Sequence, residues 1–223
     1  MILIRILFLL YLTTLLGSCK PDETIDVNQD KVYTEFELFY NHVENRTYAN
    51  AKFRHKKAKG TILKLSSSSS VTFASQPLYY NASLQQYEVI FDSLISSGEF
   101  VWTDTEGRIF RNSISLAEIN LEDELVLIQN QNNTVPWQGK SIGADEYVIL
   151  FLYTSGNNAE YVINKSPGAN TIIVGPDNLN RLPKGQLTAS IERNSMFELT
   201  EATDAGGTMK GRYRSAEVVV NVQ

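Results

Sequence analysis

The chain has 223 residues with 20 Lys and Arg against 25 Asp and Glu, a formal net charge of −5, and a single cysteine. The mild acidity argues against a nucleic-acid partner, which needs a basic surface to displace counterions from phosphate. One cysteine excludes any internal disulfide, so stability must come from buried area, and the length is enough for one large core or two ordinary ones.

Residues 1–18 carry one positive charge, Arg5, followed by an apolar run, the pair Thr13 and Thr14, and then Leu15, Leu16, Gly17 and Ser18 before Cys19. This is the three-part layout of a secretion signal. The run is shorter than the roughly 20 apolar residues that cross a bilayer, so removal rather than retention is expected. Loss of Arg5 with the leader takes the net charge from −5 to −6.

After Cys19 comes a mostly polar stretch of eleven residues with Pro21 and four acids, Asp22, Glu23, Asp26 and Asp30. They show no apolar period, so residues 19–30 are expected to form an extended, flexible acidic tether.

Strand periodicity dominates the rest. Val32, Thr34, Phe36, Leu38 and Tyr40 share one face of a strand and Glu35 and Glu37 the other. Further strands are expected over 48–55, 61–65, 71–74, 87–91 and 99–103, the last turning through Asp104, Thr105, Glu106 and Gly107 into 108–116 as a hairpin. The second half continues with 124–128, 147–153, 160–163, 171–174, 187–193 and 213–222. A short helix over 176–182 is ended by Pro183 and Gly185. The fold class is all-β: two antiparallel sandwich modules, 31–118 and 119–223, each of immunoglobulin-like size. One larger continuous sandwich is the alternative.

Three resemblances follow from particular residues. Leu16, Gly17, Ser18 and Cys19 resemble the lipobox of bacterial lipoproteins. That likeness implies a diacylglycerol on the Cys19 thiol and an acylated amino terminus, hence a membrane partner reached through lipid. Lys20 with Asp22 and Glu23 is similar to the charged export signal behind the lipidated cysteine of Bacteroidota surface lipoproteins, with a plain linker as the other reading. The stretch from Trp137 through Gly139, Lys140, Ser141, Ile142 and Gly143 to Val148, and the hairpin ending in Phe110, Arg111, Asn112, Ser113 and Ile114, resemble uncharacterised Bacteroidota lipoproteins with tandem immunoglobulin-like modules. These likenesses imply a cell envelope location, lipid-anchored at the outer membrane and open to the cell surface.

No residue constellation specifies a reaction. Gly139-Lys140-Ser141-Ile142-Gly143 has the spacing of a serine-hydrolase elbow, but no helix follows it and both histidines lie upstream. The same glycine and lysine mimic a phosphate loop, yet Pro136 removes a backbone donor from the cradle. His42 and His55 lack the paired partners of a zinc site, so no metal and no cofactor are expected. Asp104 and Glu106, Glu122 to Glu124, and Asp145 with Glu146 read as solvated carboxylates, although two distant ones meeting across a cleft would suit glycoside hydrolysis.

The candidate ligand-binding residues are the basic cluster Arg54, Lys56, Lys57 and Lys59, suited to anionic glycolipid or acidic polysaccharide, and the indoles Trp102 and Trp137, suited to stacking on sugars if exposed. Tyr79 and Tyr80 are further stacking candidates. The expected function is a non-enzymatic envelope lipoprotein for binding, adhesion or scaffolding, with an envelope protein or polysaccharide as partner. The alternatives are a glycan-binding accessory protein and a hydrolase with a cryptic carboxylate pair.

Overall fold

A computed structural model of the chain describes residues 22–154 and 159–223. The leader, Cys19 and Lys20 lie outside the described residues. Among the described residues the fold is all-β, with one helical turn at Pro176–Leu179 and two 3₁₀ turns at Thr24–Asp26 and Gln29–Lys31.

The alternating pattern sets the inner and outer faces as expected. Val32–Asn41 buries Val32, Thr34, Phe36, Leu38 and Tyr40 and leaves the intervening side chains half exposed. Arg46–His55 does the same with Thr47, Ala49, Ala51 and Phe53, and Glu146–Tyr153 with Val148, Leu150 and Leu152. The turn between the first two strands ends at Asn45, with φ of +50°, a conformation Asn tolerates better than most residues. The expected hairpin is present, with Thr103 opposite Ile109. Its turn is capped by Asp104, which is fully buried rather than solvated and accepts from the N–H groups of Glu106 and Arg108, both at 2.9 Å.

Two hydrophobic cores form. In the first, Phe36, Leu38 and Phe53 pack against Val71, Phe73, Phe100, Trp102 and Ile114 of a facing four-stranded sheet. In the second, Val148, Leu150, Ile191 and Val220 pack against Val135, Ile172 and Val174 of a small facing sheet and against Leu179 and Leu182 around the helical turn. A single twelve-stranded sheet runs behind both. Its main path is Asp22–Glu23, Ile62–Lys64, Arg46–His55, Val32–Asn41, Gly207–Arg214, Gly185–Phe197, Glu146–Tyr153 and Ala159–Asn164.

The join is a parallel pair. Val32–Asn41 lies beside Gly207–Arg214 in register from Thr34 opposite Gly207 to Asn41 opposite Arg214. Each strand also reaches into the other half's core: Tyr40 belongs to the second core and Met209 to the first. The thirteen-residue strand Gly185–Phe197 links this join to the C-terminus, pairing over residues 185–189 with Val218–Val222 and over 192–197 with Gly207–Arg214.

The segment expected as a free tether is docked from Asp22 onward. Asp22 and Glu23 form a short strand parallel to Leu63 and Lys64. Thr24 is buried and its hydroxyl accepts from the Ser66 N–H at 3.1 Å. The Gln29 amide donates to the carbonyls of Thr24 and Val27 at 2.7 and 2.9 Å, and Asp30 pairs with Arg108 at 2.6 Å. A polar segment without apolar period packs here because its side chains satisfy backbone groups that would otherwise be buried unpaired.

The parallel join is tight. A Cβ on Gly207 would sit 2.4 Å from both the Thr34 carbonyl oxygen and Leu199 Cδ1. Gly207→Ala must therefore push the two strands apart, at a cost of about 1–3 kcal/mol for overpacking. Because one sheet backs both cores, calorimetry should show a single unfolding transition, shifted down by this substitution. Two resolved transitions, with only one moved, would show that the halves unfold independently.

Candidate binding face

The solvent side of the large sheet is built from the residues that alternate with the core. Opposite Tyr48 lies Phe39, opposite Phe39 lies Arg212, then Asn194 and Tyr147, so one row crosses five strands drawn from both halves of the chain. The next rows hold Arg214, Glu192 and Ile149, and then Ser190, Phe151 and Tyr161.

Glu192 organises this surface. It points to the outer side, yet only 2% of its side chain is exposed. Arg212 Nε and Nη2 donate to its two oxygens at 2.9 and 3.1 Å, Arg214 Nε donates at 2.9 Å, and Asn194 Nδ2 donates at 3.0 Å. Burial alone would raise this carboxyl, but the Arg212 hydrogen bond and charge, followed by the charge of Arg214, hold it below the usual carboxylate range. Arg212 also reaches Glu37 at 3.4 Å, so the ion network crosses the parallel join.

Aromatic rings shield the network. The Arg212 guanidinium sits 4.1 Å from the Phe39 ring centre, and that of Arg214 lies 4.7 Å from Phe151 and 5.8 Å from Phe39. Phe39 is stacked on Tyr48 and Phe151 on Tyr153, each pair at 6.0 Å. Cation–π contacts gain strength when partly desolvated, and the half-buried rings provide that condition. The outcome is a strip in which two aromatic pairs flank the two guanidinium groups.

Beside the strip is a shallow depression of about 230 Å³ lined by Glu35, Glu37, Asn50, Lys52, Gln86, Met196, Thr208 and Lys210. Its two carboxylates are both engaged: Arg54 Nε meets Glu35 at 2.9 Å, and Asn50 and Arg212 meet Glu37 at 3.5 and 3.4 Å.

The candidates from sequence fall in separate places. Trp102 and Trp137 are 1% and 6% exposed, one in each core, with their indole N–H groups donating to Ser69 Oγ and the Lys140 carbonyl. Burial removes both from any sugar-stacking surface, because each indole fills the interior of its own sandwich. Tyr79 is 70% exposed, while Tyr80 packs against the first core. Arg54 is on the outer face in its pair with Glu35, and Lys56, Lys57 and Lys59 are exposed in the adjoining loop. Asp22 and Glu23 are exposed at the sheet edge.

The hydrolase-like stretch 139–143 is held by structure. Gly139 adopts φ of +122° opposite Ile119, and Ile142 is in the second core. The buried Arg193 donates to the carbonyls of Lys140 and Ser141 and pairs with Glu146 at 2.5 Å, while Ser195 donates to Glu146 at 2.8 Å. Burial pushes Glu146 up, but the N–H of Gly143, the Ser195 hydroxyl and Arg193 outweigh it, and its pKa is lowered. A general acid for glycoside hydrolysis needs a raised carboxyl. Glu146 and Glu192 are shifted the opposite way. Among the described residues no three His, Cys, Asp or Glu side chains converge as metal ligands, and no helix is long and apolar enough to cross a membrane.

Sequence reading missed Phe39, Phe151, Tyr153, Glu192, Arg212 and Arg214. The signal was present in the alternation: once Val148, Leu150 and Leu152 are assigned inward, Phe151 and Tyr153 must face out, and Tyr213 inward sends Arg212 and Arg214 out.

No protein-family model matches the sequence, and no curated protein matches it. Among solved structures, the chain is similar to the FN1–FN3 domains of chicken CNTN1, at 10% identity and a TM-score of 0.28, over 85% of this chain and 66% of that one. It is also similar to a structure bearing on host cell surface retention of a 1.5-MDa bacterial ice-binding adhesin, at 12% identity and a TM-score of 0.22, over 88% of this chain and 67% of that one. The chain thus spans about two thirds of each neighbour's length.

The titrating groups give an expected pH profile. Glu192 and Glu146 are lowered from 4.5, so the stability they add is present above that pH and is lost as pH falls through their lower folded values. Burial raises Tyr87 and Tyr213 from 10 to about 12, so their contribution is complete below pH 10 and is lost as pH rises through 12. Urea-unfolding free energies should therefore fall at both ends, and Tyr213→Phe should shrink the alkaline decline. An alkaline limb identical in the variant would show that the Tyr213 phenol ionises as readily in the fold as in the unfolded chain.

Proposed function

We propose that this chain is a non-enzymatic lipoprotein of a bacterial cell envelope, anchored by lipid on Cys19, whose outer sheet face binds an envelope partner. The observation that carries the binding reading is the strip of Tyr48, Phe39, Arg212, Arg214, Phe151 and Tyr153, ordered in advance by Glu192 and spanning both halves of the chain. Aromatic and arginine side chains are the groups most often responsible for binding energy at protein surfaces, and a prearranged strip loses little freedom when a partner docks.

Anchoring rests on the lipobox-like Leu16 to Cys19. Lys20, Asp22 and Glu23 extend this reading to surface export, and Asp22 and Glu23 are exposed. A glycan-binding role is the second reading. It is favoured by the depression next to the strip, where Asn50, Gln86, Glu37 and Lys52 offer donors and acceptors around Met196, a lining suited to sugar hydroxyls.

Two measurements test these readings. Cys19→Ala should abolish labelling by a palmitate analogue and release the protein from the membrane fraction; equal labelling of the variant would end the anchoring claim. On arrays of glycans and of purified envelope proteins, the chain should bind through the strip. Phe151→Ser with Tyr153→Ser should weaken that binding at least about tenfold, as loss of a surface aromatic anchor does, in a variant shown by circular dichroism to remain folded. Undiminished binding by a folded double variant would place the partner elsewhere.

A further inference from the structure

We propose that the loop over residues 56–60, together with Lys31, is a preformed docking surface for the anionic lipid headgroups of the membrane in which Cys19 is anchored. The inference rests on the lipoprotein reading and adds to it a fixed orientation of the sheet. Asp22 and Glu23 pair in parallel with Leu63 and Lys64, so the chain enters the fold at the Gly60 end of that strand, the end where the lysine loop sits. Cys19 is three residues before Asp22, which limits its distance from Asp22 to about 11 Å at full extension. A lipid on that cysteine holds the Asp22 end of this edge within about 11 Å of the headgroups, comparable to a Debye length of roughly 8–10 Å, so charge attraction there is only partly screened.

The loop suits that position. Lys31, Lys56, Lys57 and Lys59 are exposed, and among the described residues none of them forms an ion pair. Asp22 and Glu23 on the same edge offset two of these four positive charges. The backbone is also fixed. Lys56 N–H donates to the Lys31 carbonyl at 2.6 Å, Lys57 N–H to His55 at 2.9 Å, and Gly60 N–H to Lys57 at 2.7 Å. Lys56 has φ of +68°, and a Cβ on Gly60 would lie 1.8 Å from the His55 carbonyl oxygen, so the turn requires glycine there. A rigid loop keeps its ammonium groups together without the entropy cost of gathering them.

The partner is therefore a bilayer surface rich in phosphate or carboxylate headgroups. Each lysine near such a surface should favour the docked state about fivefold. At the far edge of the sheet, strand Ala159–Asn164 would stand away from the membrane, and the aromatic strip would lie between, free for a partner.

The test uses the lipidated chain with Ala58→Cys, whose thiol is free while that of Cys19 carries lipid, and a matched Ser166→Cys control beyond the far edge. Each is labelled with a fluorophore and inserted in vesicles containing a headgroup-bound quencher. Quenching at position 58 is expected in phosphatidylglycerol vesicles and not in phosphatidylcholine vesicles, with position 166 bright in both. The quenched-to-free ratio should drop about fivefold for each of Lys56→Gln, Lys57→Gln and Lys59→Gln, with melting temperatures unchanged. A bright label at 58 on anionic vesicles, with lipid on Cys19 confirmed by mass, would overturn the docking surface and leave the anchor standing. Equal quenching in both lipids would overturn its charge basis, and no added mass on Cys19 would overturn both readings together.

Discussion

The burial of Glu192 is the constraint on which the two halves depend. It is an ionised carboxylate with only 2% of its side chain exposed, on an interior strand of the sheet, and its compensation comes from Arg212 and Arg214 on the neighbouring strand. Arg212 in turn reaches Glu37 across the parallel join. Removing one partner from a desolvated ion cluster costs about 3–5 kcal/mol, because the remaining charge is stranded. The network is therefore stable only when complete, which requires Val32–Asn41, Gly207–Arg214 and Gly185–Phe197 to be in one register. A slip by one residue would send Arg212 and Arg214 into the core and Tyr213 out to solvent.

The same reasoning separates what was legible in the sequence from what was not. Alternation in Val32–Asn41 and in Glu146–Tyr153 fixed the inner face, because a period of two leaves no choice of side. It says nothing about which strand lies next door or in which direction. Hence the parallel join was invisible, although Gly207 marks it by its close approach to Thr34. The indoles show the opposite limit. An indole is large and has a polar N–H, so Trp102 and Trp137 fit either a surface or a core, and only the available acceptors, Ser69 Oγ and the Lys140 carbonyl, decide for burial. Thr24 and Gln29 escaped notice because they pack through hydrogen bonds rather than hydrophobicity.

The stretch 139–143 shows how a catalytic spacing arises without catalysis. Gly139 is needed where a Cβ would approach the Glu118 carbonyl oxygen to 2.6 Å, and Gly143 presents its N–H to Glu146 at 2.9 Å. Between them the carbonyls of Lys140 and Ser141 are held by Arg193, buried beneath the loop. Gly139 thus has a backbone reason for being glycine, whereas Gly143 supplies a backbone donor that any residue but proline would supply. The serine between them is exposed and far down the chain from either histidine, so the pattern is produced by the demands of a turn.

The aromatic strip is held by the same ion network that joins the halves. Phe39, Phe151 and Tyr153 are only half exposed because they lie over Arg212, Arg214 and each other, and those guanidinium groups are held in place by Glu192. A ring resting on a fixed cation has few rotamers to lose on contact with a partner, so the residues that stabilise the join also prepare the surface. Coupling of this kind sets a limit on variation: the strip's edges, such as Tyr153, tolerate change, whereas its centre at Arg212 cannot change without loosening the contact between the two cores. The aromatic strip and the join therefore share one set of side chains, and the strip exists only on the fully paired sheet.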